Sequence, residues 1–187
     1  MIITDKQSNL IIRPLRPDDR ERLFCAVSES KNDINPWMNW CHNNYSIRDA
    51  DEWISCCLEN WALDKGDREF AVFDMTDFRL VGCVGINQIN HVNRFANLGY
   101  WVRSTRKNAG LASAMARLAA QFAFENLGLV RLEIVVRPEN LASRRVAEKI
   151  GAQFECNARN RLLYQGKPHH ATVYSLIPED LIIDWAA

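Results

Sequence analysis

The chain has no surplus of charge: 23 basic and 23 acidic residues leave it formally neutral at pH 7. A general nucleic-acid or anionic-membrane role needs a basic excess, so direct partners of that kind are not expected. No apolar run reaches the ~18 residues of a membrane span. The N-terminal Met-Ile-Ile-Thr-Asp-Lys lacks the pattern of a secretory signal, and a cytoplasmic protein is expected. No linker, repeat or low-complexity tract breaks the sequence, which reads as a single domain over 1–187. Metal-ligand spacing is missing too. Cys25, Cys41, Cys56, Cys57, Cys83 and Cys156 include no Cys-x-x-Cys pair and no histidine at ligand spacing, so reduced thiols and no metal are expected. His169 and His170 are adjacent, which puts them on opposite faces of a strand.

What is present is a regular alternation of strands and amphipathic helices. Leu10 to Arg13 reads as a first strand, and Asp18 or Asp19 as the cap of a helix running to about Glu29. Residues 31–45 hold Pro36, Trp37, Trp40, His42 and Tyr45 and read as an aromatic loop. Ser46 caps a helix through about Leu63, with Ile47, Trp53, Ile54, Cys57, Leu58 and Trp61 on its period. Glu69–Met75 and Leu80–Ile86 read as paired strands, followed by a strand ending near Arg103. Leu111, Met115, Leu118, Ala119 and Phe122 form the buried stripe of the next helix, which Gly128 ends. Arg131 to Val136 reads as a buried central strand. A helix follows with Ala142, Val146 and Ile150 inward and Gly151 at its end. Phe154–Leu163 and Ala171–Leu176 make a final hairpin around Gly166. The order β-α-α-β-β-β-α-β-α-β-β implies a mixed sheet with helices on both faces, an α/β (α+β) class.

The densest chemistry lies at the fourth of these strands. Gly99-Tyr100-Trp101-Val102-Arg103 gives way to a basic turn with Arg106 and Lys107, and Gly110 then opens the long helix. The first N–H groups of a helix lack internal partners and the dipole there favours negative charge. A phosphate-bearing ligand suits that turn.

These motifs resemble the GNAT superfamily of acetyl-CoA-dependent N-acetyltransferases, and within it the RimJ/RimL branch. The resemblance runs from Leu10-Ile11-Ile12-Arg13-Pro14 to Tyr174-Ser175-Leu176-Ile177-Pro178-Glu179-Asp180. It implies the GNAT fold: a mostly antiparallel sheet with splayed central strands. Lys107-Asn108-Ala109-Gly110-Leu111-Ala112 resembles the pyrophosphate loop, with Ser113 next along the helix. Lys107 stands where the family has Gln or Arg, and loses their planar geometry. Asn140-Leu141-Ala142-Ser143 matches Asn-x-x-Ser; the resemblance implies that Asn140 binds pantetheine and that Ser143 protonates the leaving thiolate. Trp101, Val102 and Arg103 match the strand that bonds pantetheine through its main chain. Trp37, Trp40 and Tyr45 are either core or interface aromatics or the lining of an acceptor pocket, with Trp37 and Trp40 the substrate-binding candidates. Arg144, Arg145 and Lys149 are either a solvated face or contacts to the adenosine phosphate. A monomer or homodimer fits the resemblance.

The base is what the sequence does not supply. Asn97 stands at the family's strand glutamate and Leu162 at the hairpin glutamate of RimL-type enzymes; Glu133 and His91 remain. A free α-amine titrates at about 7.7–8.0 and a lysine at about 10.4, so near pH 7 the neutral fractions differ about 300-fold. That equals about 3 kcal/mol of base demand. An enzyme without a dedicated carboxylate is therefore expected to take α-amines, foremost a protein or peptide N-terminus. The alternatives are a small amine such as an antibiotic or aminoacyl-nucleotide, or a coenzyme-A-binding regulatory module of weak activity.

Overall fold

A computed structural model describes residues 1–63 and 66–182. The last residues of the single-domain span expected over 1–187 lie outside the described residues. The elements are β1 (Ile3–Asp5), β2 (Leu10–Pro14), α1 (Arg20–Ile34), α2 (Ile47–Ala62), β3 (Arg68–Asp74), β4 (Leu80–Asn90) and β5 (Phe95–Val102). They continue with α3 (Leu111–Leu127), β6 (Arg131–Val136), α4 (Leu141–Lys149), β7 (Gln153–Tyr164), β8 (Lys167–Leu176) and α5 (Pro178–Ile182). The described strands form one eight-stranded sheet in the order β1-β2-β3-β4-β5-β6-β8-β7. Its neighbours are antiparallel except β5 and β6, which run parallel.

Strand alternation divides the core in two. Phe70 and Val72 of β3 point to the face covered by α3 and α4, where Leu111, Met115, Ala119, Phe122, Ala147 and Ile150 pack. Ala71 and Phe73 point to the other face, against Leu23, Val27 and Ile34 of α1 and Ile54 and Cys57 of α2. Each large side chain removed from water there contributes about 1.5–3 kcal/mol. Ser46 caps α2 as expected: its backbone N–H donates to Asp49 at 2.8 Å, and its hydroxyl accepts from the Asp49 N–H at 3.4 Å.

Several boundaries differ from the sequence reading. α1 continues past Glu29 to Ile34, because Ser30 and Ile34 are buried beneath it. β1 and α5 are too short to carry a periodic signal. β8 starts at Lys167, where Lys167, Pro168 and His169 pair with Tyr164, Leu163 and Leu162. Asp19 is the N-cap residue of α1, but its carboxylate makes no cap bond and turns instead to Arg13 and the Arg16 N–H. In α2, Ile47, Trp53 and Leu58 are exposed, and the buried stripe is Ala50, Ile54 and Cys57.

Two further differences bear on the site. β6 is not buried on both faces: Leu132, Ile134 and Val136 are buried, while Arg131, Glu133 and Val135 alternate with them and keep solvent access. On α4, Ala142 is exposed, while Val146 and Ile150 face the core as expected, together with Ala147.

Candidate active site

The parallel pairing of β5 with β6 covers Phe95↔Arg131, Ala96↔Leu132 and Asn97↔Glu133, and ends there. β5 stays paired with β4 to its end, through Gly82↔Val102. The sheet therefore opens into a wedge between Leu98–Val102 and Ile134–Val136. Along that edge β5 presents main-chain groups that β6 does not take.

Alternation sends the two aromatics of β5 to opposite faces. Tyr100 packs on the α3 side and Trp101 on the α1 side. The Tyr100 hydroxyl donates to the Ser143 carbonyl oxygen at 3.0 Å and accepts from Ser143 Oγ at 3.2 Å. The pair spans the wedge, and burial holds the Tyr100 phenol above its ordinary range. Asn140 caps α4 by accepting from the Ser143 N–H at 3.1 Å. That bond fixes the Ser143 backbone and engages the Asn140 side-chain oxygen.

The glycine turn lies beside the same wedge. Gly110 caps α3 at φ 75°, a left-handed position, and supplies no side-chain bond to the first turn. Asn108 is also left-handed, at φ 63°, which asparagine tolerates better than most residues. Lys107, Asn108, Ala109 and Gly110 are exposed; Leu111 and Ser113 turn their side chains into the core, so they can offer a ligand only backbone. Lys149, at the end of α4, brings its ammonium 3.8 Å from where a Cβ on Gly110 would sit. A helix start without a side-chain cap, beside a lysine, is a donor set that fits a diphosphate.

The cations of the turn, in contrast, are engaged. Arg103 bonds Glu29 at 2.7 Å, and its N–H donates to Val81. Arg106 pairs with Asp74, and Lys107 with Asp33 at 2.7 Å. Thr105 adds two bonds to Glu29, and Ser104 donates to both Ser30 and Asp33. Arg103 holds the Glu29 carboxyl down at about 2, and Lys107 followed by Ser104 lowers that of Asp33. The basic turn is thus a clamp between α1 and the start of α3, and a ligand's phosphates would meet backbone N–H groups rather than three free cations. Arg103 in particular has neither its N–H nor its guanidinium free.

On the α1 face, Trp40 sits between Tyr45 and Trp101, with both ring centroids 6.1 Å away. Trp37 points elsewhere. Its ring packs on the Arg137 guanidinium at 5.2 Å, which also lies over Tyr164 at 5.0 Å. The aromatic loop is tied to the last hairpin: Tyr164 donates to the Asn35 carbonyl at 2.8 Å, and Asn39 donates to the Leu163 carbonyl at 2.9 Å. Loop and hairpin together rim the open end of the wedge. His91 lies in the turn between β4 and β5, at the opposite end. Glu133 is bonded to Arg131 at 3.0 Å and to Arg161 at 3.4 Å. Sequence reasoning left Tyr100 out of the site, although alternation from Trp101 would have placed it opposite.

The fold is thus an α/β sheet with a wedge, an uncapped glycine turn and helix start on one face and a cluster of aromatic rings on the other. The chain belongs to the GNAT acetyltransferase family: residues 9–153 match the acetyltransferase (GNAT) domain. It is 30% identical over 172 residues to YdaF of Bacillus subtilis, which carries the name of a ribosomal N-acetyltransferase, with 92% of this chain and 93% of the relative covered. A Vibrio cholerae structure described as a ribosomal-protein-serine acetyltransferase superposes with a TM-score of 0.83 at 34% identity, covering 95% of this chain and 98% of that one. RimJ of Mycobacterium smegmatis, solved with a CoA disulfide, superposes with a TM-score of 0.78 at 25% identity, over 92% and 83% of the two chains. The protein is an N-acetyltransferase of this family.

Proposed function

We propose that this chain transfers acetyl from acetyl-CoA to the α-amine of a protein or peptide N-terminus. The observation that carries the reading is the two-faced wedge. The anion-binding turn and Ser143 lie toward the α3–α4 face, while the Trp40–Tyr45–Trp101 cluster lies on the other. The coenzyme's diphosphate lies on the N–H groups of Gly110 to Ser113, beside Lys149. The pantetheine arm follows the free edge of β5 at Trp101 and Val102, near Asn140. The thioester then reaches the wedge, and the amine arrives from the aromatic side. Main-chain donors of β5 stabilise the oxyanion, and Ser143 protonates the thiolate that leaves.

The acceptor face supports an N-terminus over a polycation. Two of the carboxylates around it are already engaged, Asp33 by Lys107 and Glu133 by Arg131 and Arg161, so no cluster of free acidic groups faces the wedge. A polyamine would need such groups free. The test is acetyl-CoA turnover at pH 7 on a peptide with a free N-terminus, set against the same peptide N-blocked with one lysine and against spermidine. The free N-terminus should win by about 10²-fold in kcat/KM, following the neutral amine fractions. Faster turnover of the lysine or the polyamine would sink this acceptor.

The α1 clamp gives a second expectation. Glu29→Gln removes the anion that holds Arg103 and weakens its grip on Thr105. The KM for acetyl-CoA should rise about threefold to tenfold, with kcat near wild type, because uniform binding and not chemistry is lost. Steady-state kinetics at saturating amine would measure it. In the wild type the clamp should survive acidification well below pH 4, since a carboxyl lowered to about 2 stays ionised until the pH falls toward that value.

A further inference from the structure

Neither strand nor hairpin offers the carboxylate expected at Asn97 or Leu162, yet one carboxylate does face the acceptor side. Glu69, the second residue of β3, alternates onto the face shared by Ala71 and Phe73, the α1–α2 face. Its side chain lies across β4 directly over Gly85: a Cβ on that glycine would sit 2.1 Å from both carboxylate oxygens. Gly85 is the register partner of Gly99 on β5. Two facing glycines leave a trough without side chains, running from the carboxylate to the strand edge. Above Gly99, the nearest atoms to an added Cβ are the amide nitrogens of Asn87 and Asn97, both 3.7 Å away. Gly99 lies two residues past Asn97, the last residue of β5 paired to β6.

A row of side chains walls the trough. Asn97 donates to Asn87 at 2.9 Å, and Asn87 donates to Glu69 at 3.2 Å. Cys83 and Trp101, also register partners, stand on the far side. Neighbouring strands are about 4.8 Å apart, so a nitrogen seated over Gly99 is about one hydrogen bond, or one water, from a carboxylate over Gly85. The seat is therefore built between the carboxylate and the mouth of the wedge.

We propose that Glu69 is the general base of this enzyme, taking the proton from the amine that enters over Gly99. The amine N–H bond breaks, with the proton passing to a Glu69 oxygen. The N–C bond forms at the acetyl carbon, the C–S bond breaks, and the thiolate takes a proton from the Ser143 hydroxyl, which regains one from solvent. Glu69 returns its proton to solvent as the product leaves. The assignment rests on amine acetylation in this wedge, and not on which amine is preferred.

The environment suits the task. Burial pushes the Glu69 carboxyl up to about 7; the Asn87 donor opposes this and the Asp67 charge adds to it. Among the described residues, Cys57 of α2 and Cys83 of β4 also act on it, thiols that burial keeps protonated. The Glu69 residue as a whole is only partly buried. A base near 7 matches an α-amine near 8 and lies far below a lysine near 10.4. That mismatch deepens the preference for an N-terminus.

The test is Glu69→Gln, which keeps the shape and an acceptor for Asn87. Expected is a loss of about 10²-fold in kcat/KM for the amine at pH 7 with the acetyl-CoA KM unchanged. The rising limb near pH 7 should vanish from the rate profile, leaving the limb of the amine itself. A second readout does not depend on turnover. A carboxyl raised on folding binds more protons folded than unfolded between about pH 4.3 and 7, so stability falls as pH rises through that window. Glu69→Gln should therefore melt with wild type at pH 4 and above it at pH 8. Gly85→Ala, whose methyl displaces the carboxylate, should lower the rate while retaining the fold. An unchanged limb in Glu69→Gln, a melting difference independent of pH, or loss of the limb in Glu133→Gln instead would overturn the assignment. A wild type that prefers lysine overturns the acceptor reading and leaves Glu69 judged by its own variants.

Discussion

Asp19→Ala is expected to lower folding stability by about 3–5 kcal/mol, the cost of breaking a buried ion pair from one side. Asp19 is fully buried, and Arg13 reaches it with two nitrogens at 2.6 and 2.8 Å. The Arg16 N–H donates at 2.9 Å, and Arg22 approaches at 3.4 Å. Alanine would strand the Arg13 guanidinium, which lies over the Phe73 ring at 4.3 Å with little access to water. Burial alone would push the Asp19 carboxyl up, but the Arg13 bonds and the Arg16 N–H outweigh it and leave it lowered. The pair therefore stabilises the fold fully above the unfolded carboxyl value of about 3.9, and the gain is lost as pH falls through the lower folded value. Urea unfolding at pH 7 measures the loss as a shift of midpoint at constant slope. Replacing Arg13 and Asp19 together by apolar residues should recover much of it, because no charge is then left alone. The consequence reaches function through α1, whose last turns carry Glu29 and Asp33 to the glycine turn.

The sequence made the local part of this architecture readable. The Ser46 cap, the α3 stripe and the glycines at 110 and 128 are decided within a few residues, and each sits where the pattern put it. Long-range charge pairing is different. Arg103, Arg106 and Lys107 read as a free basic cluster, yet Glu29, Asp33 and Asp74 neutralise them from distant parts of the chain. Periodicity carries no information about such partners. The same limit hid the Tyr100–Ser143 pair, whose two residues meet only because α4 packs beside the wedge. The aromatic loop was readable as aromatic, but not which ring goes where: Trp40 joins Trp101, whereas Trp37 stacks on Arg137. In the sequence, Glu69 is only the first residue of the strand read over Glu69–Met75. Its setting depends on Gly85 beneath it, and that requires the β3–β4 register.

Ser143→Ala is expected to lower kcat by about 10²-fold, with the KM for acetyl-CoA little changed. The substitution is clean. Asn140 caps the Ser143 N–H, and Tyr100 donates to the Ser143 carbonyl, so both contacts survive in alanine. The one bond lost runs from Ser143 Oγ to Tyr100 Oη at 3.2 Å, a cost of about 1 kcal/mol to the fold. Tyr100→Phe separates two routes for the proton. If Ser143 delivers it, phenylalanine removes a partner that orients the hydroxyl, and kcat falls less than in Ser143→Ala. If the phenol delivers it, Tyr100→Phe falls at least as far. Because the hydroxyls are bonded to each other, the double variant should lose less than the product of the two single losses. A full product would mean that the hydroxyls act separately; an unchanged kcat in both single variants, with lowered thermal midpoints, would mean that the pair across the wedge is only structural.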